Sequence, residues 1–164
     1  MKKTALIILA LLVGFSVYAK HHKRKKKQQA TTSSIISVTM RRTPCYGRCP
    51  NYEIQLDNDG TAIYTAIRFN PDTGTFTKNI GAAKVKEIMD QFRSYQVDTC
   101  QDLYRNRIAD LPGINFTIKY KDSTKTIRNA QFGPGFLKTL ATAIDDAAKK
   151  TDDSWTKVDT AKKN

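Results

Sequence analysis

The chain has 164 residues, enough for one domain with a modest core. Its 40% hydrophobic and 26% charged residues are typical of an ordinary globular protein. The formal charge of +13 resembles that of a nucleic-acid-binding protein, but eight positive charges are confined to Lys2, Lys3 and residues 20–27. The remaining 20 basic and 15 acidic residues give only a small positive net charge, so no specific nucleic-acid partner is predicted.

Residues 1–19 have the pattern of a secretory signal peptide. A basic start, Met1–Lys3, precedes an apolar run at residues 4–18, and Ala19 lies at the expected cleavage point. The run is shorter than the roughly 20 residues of a membrane span. We expect cleavage and a periplasmic or secreted protein. The alternative is a retained membrane anchor, because positive charge directly after an apolar run opposes translocation.

Residues 20–34, KHHKRKKKQQATTSS, have no hydrophobic periodicity and are predicted to be a disordered basic linker. A linker of this charge is attracted to an anionic membrane surface, with a solvated spacer as the alternative. The candidate surface contacts are Lys23, Arg24, Lys25, Lys26 and Lys27. The adjacent pair His21 and His22 is too small a set for a metal site, and none is predicted.

Further along, hydrophobic alternation predicts strands at residues 35–42, 52–57, 61–69 and 114–120, with shorter strands at 75–80 and 124–130. The sequence of residues 57–60, DNDG, is typical of a hairpin turn. Apolar residues at helical spacing predict one helix at residues 81–95. A second helix is expected after Gly133-Pro134 and extends to about residue 150.

Tight hairpins favour antiparallel pairing, so these elements predict an α+β fold. We expect an antiparallel sheet of about four to six strands with two helices packed on one face. The expected chain order is strands, helix, strands, helix. Residues 35–150 form the single predicted domain, and residues 151–164 are expected to be a polar C-terminal tail.

Residues 41–50, RRTPCYGRCP, combine two cysteines, two prolines and a glycine just before a predicted strand. Three cysteines allow three pairings; we expect a Cys45–Cys49 disulfide, with Cys100 buried and reduced. The candidate contacts with a ligand or partner are Arg41, Arg42, Tyr46, Arg48 and Tyr52. The alternative to such contacts is that Tyr46 packs inward and the arginines pair with local acids.

The motif from Arg42 to Tyr52, RTPCYGRCPxY, is followed by Asp59-Gly60 and Tyr64. Weaker matches continue through Tyr104, residues 110–112 (DLP) and Gly133-Pro134. Over residues 35–150 this pattern resembles the uncharacterised bacterial family known as domain of unknown function 6438. The resemblance implies an exported bacterial protein and brings no established activity.

No catalytic residue, metal or cofactor is predicted. Both histidines lie in the linker, so the predicted domain has none for nucleophilic catalysis. The cysteine spacing is C-x3-C rather than the C-x-x-C of thioredoxin-like proteins, and phosphate-binding glycine motifs are absent from the sequence. We expect a monomeric, non-enzymatic binding module of the cell envelope, whose partner is an unidentified protein or envelope component. The alternatives are a thiol-active or other enzyme that uses Cys45 and Cys49, and anionic-surface binding through the linker.

Overall fold

The computed structural model describes residues 34–105 and 111–158, which belong to one compact unit, Thr32–Asn164. The predicted signal peptide and all of the basic linker except Ser34 lie outside the described residues, as do residues 106–110 and 159–164. Within the described ranges, no helix is both long and apolar enough to cross a membrane.

The described residues form a seven-stranded sheet and two α-helices. In chain order the elements are β1 (Ile35–Arg42), β2 (Asn51–Asp57), β3 (Thr61–Arg68), β4 (Gly74–Asn79), α1 (Ala82–Ser94), β5 (Ile114–Tyr120), β6 (Thr124–Ile127), α2 (Gly135–Ala148) and β7 (Thr156–Val158). Short 3-10 helices lie at Val97–Thr99 and Ala130–Phe132. The strand order is β6-β5-β1-β2-β3-β4-β7, and every neighbouring pair is antiparallel.

The α+β prediction with an antiparallel sheet is confirmed, but the expected strand count of four to six is too low. The difference comes partly from residues 151–158, which were expected to lie in a polar tail. There Thr156–Val158 forms β7, an edge strand paired with β4, so the chain order ends in a strand. All three β7 residues are exposed, and such a strand has no hydrophobic alternation to reveal it.

Both helices pack on the same face of the sheet. Phe92 of α1 meets Phe116 of β5 edge to face, with ring centroids 5.4 Å apart. The apolar stripe of α2, including Leu137 and Ile144, joins the same buried cluster. On the opposite face one row of paired residues crosses all seven strands and is mostly threonine: Thr126, Thr117, Thr39, Gln55, Ile63, Thr77 and Thr156.

Strand β1 lies between β5 and β2, and its last residue, Arg42, lies opposite Ile114 on one side and Tyr52 on the other. Alternation along the strand places Arg42 on the helix-covered face with Val38 and Met40. The cysteine loop follows immediately. The end of β1 therefore brings the loop, the start of β5 and helix α2 close together.

Candidate functional site

The Cys45–Cys49 disulfide is present and closes the loop that follows β1. Tyr46, between the two cysteines, has 92% of its surface exposed, and Arg48 is also exposed. The alternative in which Tyr46 packs inward is therefore wrong. Cys100 is the free cysteine among the described residues, as expected, but it is half-buried rather than buried.

Thr43 fixes the start of the loop to the start of β5. The Thr43 backbone N–H donates to the carbonyl oxygen of Gly113 at 3.0 Å, and the Gly113 N–H donates to Thr43 Oγ1 at 2.8 Å. A Cβ at residue 113 would overlap the Thr43 hydroxyl, so glycine is needed for this approach. The loop is thus held at one end by these bonds and closed on itself by the disulfide.

Arg42 and Tyr52 both bond to Asp145 of α2. Arg42 Nη2 donates to Asp145 Oδ2 at 2.6 Å, and the Tyr52 hydroxyl donates to Asp145 Oδ1 at 2.7 Å. Lys149, one turn further along, places its ammonium 5.4 Å from the centre of the Tyr52 ring. This arrangement joins β1 and β2 to α2 through one carboxylate. The alternative in which the arginines pair with acids is therefore correct for Arg42, although its partner Asp145 is distant in sequence rather than local.

The network keeps Tyr52 protonated above the pH at which a free tyrosine ionises. Burial raises the pKa of Tyr52 well above its ordinary value of 10, and the hydrogen bond to Asp145 and the charge of that carboxylate raise it further. Arg42 opposes part of this rise. Burial also raises the pKa of the neighbouring Tyr64 to about 12, with contributions from the charges of Asp72 and Asp145. Tyr52 is thus a hydrogen-bond donor here rather than a base.

Above pH 10 we expect the free energy of unfolding to fall. A tyrosine in the unfolded chain loses its proton near pH 10, whereas Tyr64 keeps it in the folded state to about pH 12, so the folded state binds more protons in this range. The expected slope from Tyr64 is about 1.4 kcal/mol per pH unit. Urea unfolding between pH 9.5 and 11.5 measures it, and Tyr64→Phe should show a smaller slope than the unmodified protein. Equal slopes in the two proteins would contradict the assignment.

The structure separates the five residues that the sequence grouped as contacts. Arg42 and Tyr52 lie on the helix-covered face, Arg41 is exposed on the opposite face, and Tyr46 and Arg48 lie in the loop. Adjacent strand residues point to opposite faces, which is why Arg41 and Arg42 lie on different faces of the sheet. Their role as contacts stays a prediction, and so does that of residues 23–27, which lie outside the described residues.

Asp145 and its neighbours on α2 were not among the predicted site residues. Lys138, Thr142 and Asp145 recur at intervals of four and three residues along one side of α2, and Lys149 follows four residues later, just after the helix ends. That polar stripe was the available signal. Its contact with Arg42, 103 residues away in sequence, was not visible in any local pattern.

A cleft of about 340 Å³ adjoins the Arg42 end of this network. Its lining residues are Arg42, Pro112, Ile114, Gln131, Lys138 and Thr142. The cleft thus lies beside the start of the disulfide loop, since Arg42 directly precedes Thr43. Across residues 34–105 and 111–158, no group of three or more histidine, cysteine, aspartate or glutamate side chains is placed to hold a metal ion. The lining side chains of the cleft offer charge pairing, hydrogen bonding and apolar contact.

Fold and loop together define a small α+β domain with a disulfide-closed loop after β1, an interior strand of the sheet. The chain belongs to the family described as a domain of unknown function, DUF6438, whose family model matches residues 36–148. The resemblance seen in the sequence is therefore confirmed at the level of the family. No curated protein and no solved structure matches the chain.

Proposed function

We propose that the protein is an exported, non-enzymatic binding module of the cell envelope that contacts a partner protein through its Cys45–Cys49 loop. The observation that supports this most directly is the 92% exposure of Tyr46 inside a disulfide-closed loop. Tyrosine and arginine are favoured at protein interfaces, and Arg48 lies two residues from Tyr46. A loop held in one shape loses little conformational entropy on binding, which favours its use as a contact.

Export is supported by two independent features. Residues 1–19 have the basic, apolar and small-residue regions of a signal peptide. The Cys45–Cys49 disulfide suits an oxidising compartment, because cytosolic thiols are normally kept reduced. A five-residue ring stabilises a fold by about 2 kcal/mol at most through chain entropy, so the main effect of this disulfide is on loop shape.

Site-specific photo-crosslinking in the native host tests the proposal. A photo-reactive phenylalanine analogue in place of Tyr46 should give a discrete adduct with another protein, recovered from the envelope fraction. Arg48→Ala in the same chain should lower the adduct yield several-fold, because arginine is enriched among the few interface residues whose truncation costs about 2 kcal/mol or more. Both side chains are exposed, so neither change should alter the unfolding temperature.

Phe69 is the matched control position. It is an aromatic residue with 40% of its surface exposed, in the turn between β3 and β4, and the same analogue there should give no adduct of that mass. The double variant Cys45→Ser/Cys49→Ser should keep the fold and reduce the adduct yield, since it releases the loop shape. Absence of an adduct from Tyr46, or equal adducts from both positions, would overturn the proposed contact.

A further inference from the structure

The cleft beside Arg42 combines cationic, polar and apolar walls. Two cations, Arg42 and Lys138, face it from β1 and α2. Thr142 lies one helical turn after Lys138, and Ile114 supplies an apolar side at the start of β5. Such a mixture, with a few polar groups in a partly apolar concave surface, is typical of small-molecule sites.

Arg42 has hydrogen-bonding capacity that Asp145 does not use. A guanidinium carries five N–H donors, and the bond to Asp145 uses Nη2. Arg42 Nε is buried without a partner among the described residues and is closed to a ligand. Arg42 lines the cleft with 27% of its side chain exposed, so the Nη donors that Asp145 does not engage can bond an acceptor supplied by a ligand.

Gln131 adds a neutral donor to the same cleft. Its side-chain oxygen accepts the Ile114 backbone N–H at 2.6 Å, which fixes the orientation of the amide. The amide nitrogen is therefore left to donate, since an oxygen engaged in this way assigns the NH2 group to the other position. Gln131 lies in the 3-10 helix that precedes α2, and this bond to β5 keeps it at the cleft wall.

The charge balance favours an anion with a single charge. Arg42 and Lys138 contribute two positive charges, and Asp145 compensates one of them through its pair with Arg42. One positive charge remains for a ligand. A dianion such as sulfate would bring more negative charge than the cleft neutralises. Pro112 and Ile114 offer an apolar contact that an inorganic ion cannot use.

We propose that this cleft binds a small organic monocarboxylate. The carboxylate lies between Arg42 and Lys138, with Gln131 and Thr142 as further hydrogen-bond partners, and the hydrocarbon part lies against Pro112 and Ile114. The volume of about 340 Å³ is at the lower end of ligand sites, which limits the ligand to a small molecule. The site is separate from the Tyr46 contact and does not depend on it.

Nuclear magnetic resonance titration of the full chain with benzoate and with hexanoate tests the inference. The two reporters are the Gln131 side-chain amide and the Ile114 backbone amide, and both should shift saturably at constant ionic strength. Sodium sulfate and sodium chloride are the comparison titrations and should produce no saturable shift at these reporters. Saturable binding of sulfate at these reporters would overturn the assigned ligand class.

Lys138→Gln should weaken carboxylate binding about tenfold, which is the effect of losing one charge-assisted contact of about 1.4 kcal/mol. Lys121→Gln is the matched control, because it makes the same charge change in the exposed turn at the opposite end of β5. Thr142→Phe, at an exposed helix position, should fill the cleft and abolish binding while keeping the fold. Equal affinities in the Lys138 and Lys121 variants, or no carboxylate binding to the unmodified chain, would refute the site.

Discussion

Replacing Gly60 with alanine is expected to destabilise the domain by more than about 3 kcal/mol, which is large for a single substitution. Gly60 ends the turn between β2 and β3 and has a φ of +97°, a conformation that residues with a Cβ rarely adopt. A Cβ there would lie 2.7 Å from the carbonyl carbon of Gly81 and would overlap the backbone nitrogen of Ala82. The turn cannot move aside freely, because the Ile80 N–H donates to the Gly60 carbonyl oxygen at 2.9 Å.

Gly81→Ala is the matched control for this overlap. Gly81 has nearly the same φ, +91°, but nothing lies within 4 Å of the position its Cβ would take. We therefore expect only the conformational cost, about 1–3 kcal/mol. Urea unfolding of both variants at one pH gives the comparison. A Gly60 variant that has no folded population agrees with the expectation, whereas equal losses in the two variants would contradict the steric argument.

The strands and helices that hold the core were predictable because each has a strong local pattern. Residues 35–42 and 114–120 alternate in hydrophobicity, and the structure has strands over the same ranges. In α1, Val85, Ile88 and Phe92 recur at helical spacing, and all three are buried. In these elements the spacing of the apolar residues matches the positions that are buried, because each element has one face on the core and one face in water.

The end of the chain shows what local patterns do not reveal. Strand β7 has three exposed residues and is held by backbone pairing with β4, which depends on a neighbour about 80 residues earlier in sequence. Trp155, just before it, is buried against Tyr64, with ring centroids 6.2 Å apart. A single aromatic residue in a polar segment indicates a docking point but gives no information about the docking surface.

The candidate site was predictable only in part, for a related reason. The closed loop could be inferred from Cys45 and Cys49, since close spacing and Gly47 favour a local disulfide. The five contact residues were grouped because they are close in sequence. The structure separates them, because successive residues of a strand point to opposite faces of the sheet. The partner of Arg42 lies on α2, so the charge network and the cleft follow from tertiary packing rather than from any motif.

Removing the carboxylate of Asp145 is expected to cost about 3 kcal/mol. Asp145→Ala leaves Arg42, with 27% of its side chain exposed, without its ion-pair partner and deprives the Tyr52 hydroxyl of its acceptor. Breaking a buried pair by deleting one member typically costs 3–5 kcal/mol. Partial access to water reduces the penalty here toward the lower end of that range. The neighbouring Asp146→Ala is the control, because Asp146 is exposed and its removal should change stability by less than about 0.5 kcal/mol.

A double-mutant cycle separates the loss of the pair from the cost of leaving Arg42 charged and unpaired. Arg42→Met alone and Asp145→Leu alone should each destabilise the fold. The double variant should be more stable than the sum of the two losses implies, because apolar replacement of both members removes the uncompensated charge. Urea unfolding at pH 7 supplies the four free energies. If the two losses of stability simply add, Asp145 stabilises the fold through Tyr52 or through helix packing. The ion pair would then not join β1 to α2 in the way that its 2.6 Å distance indicates.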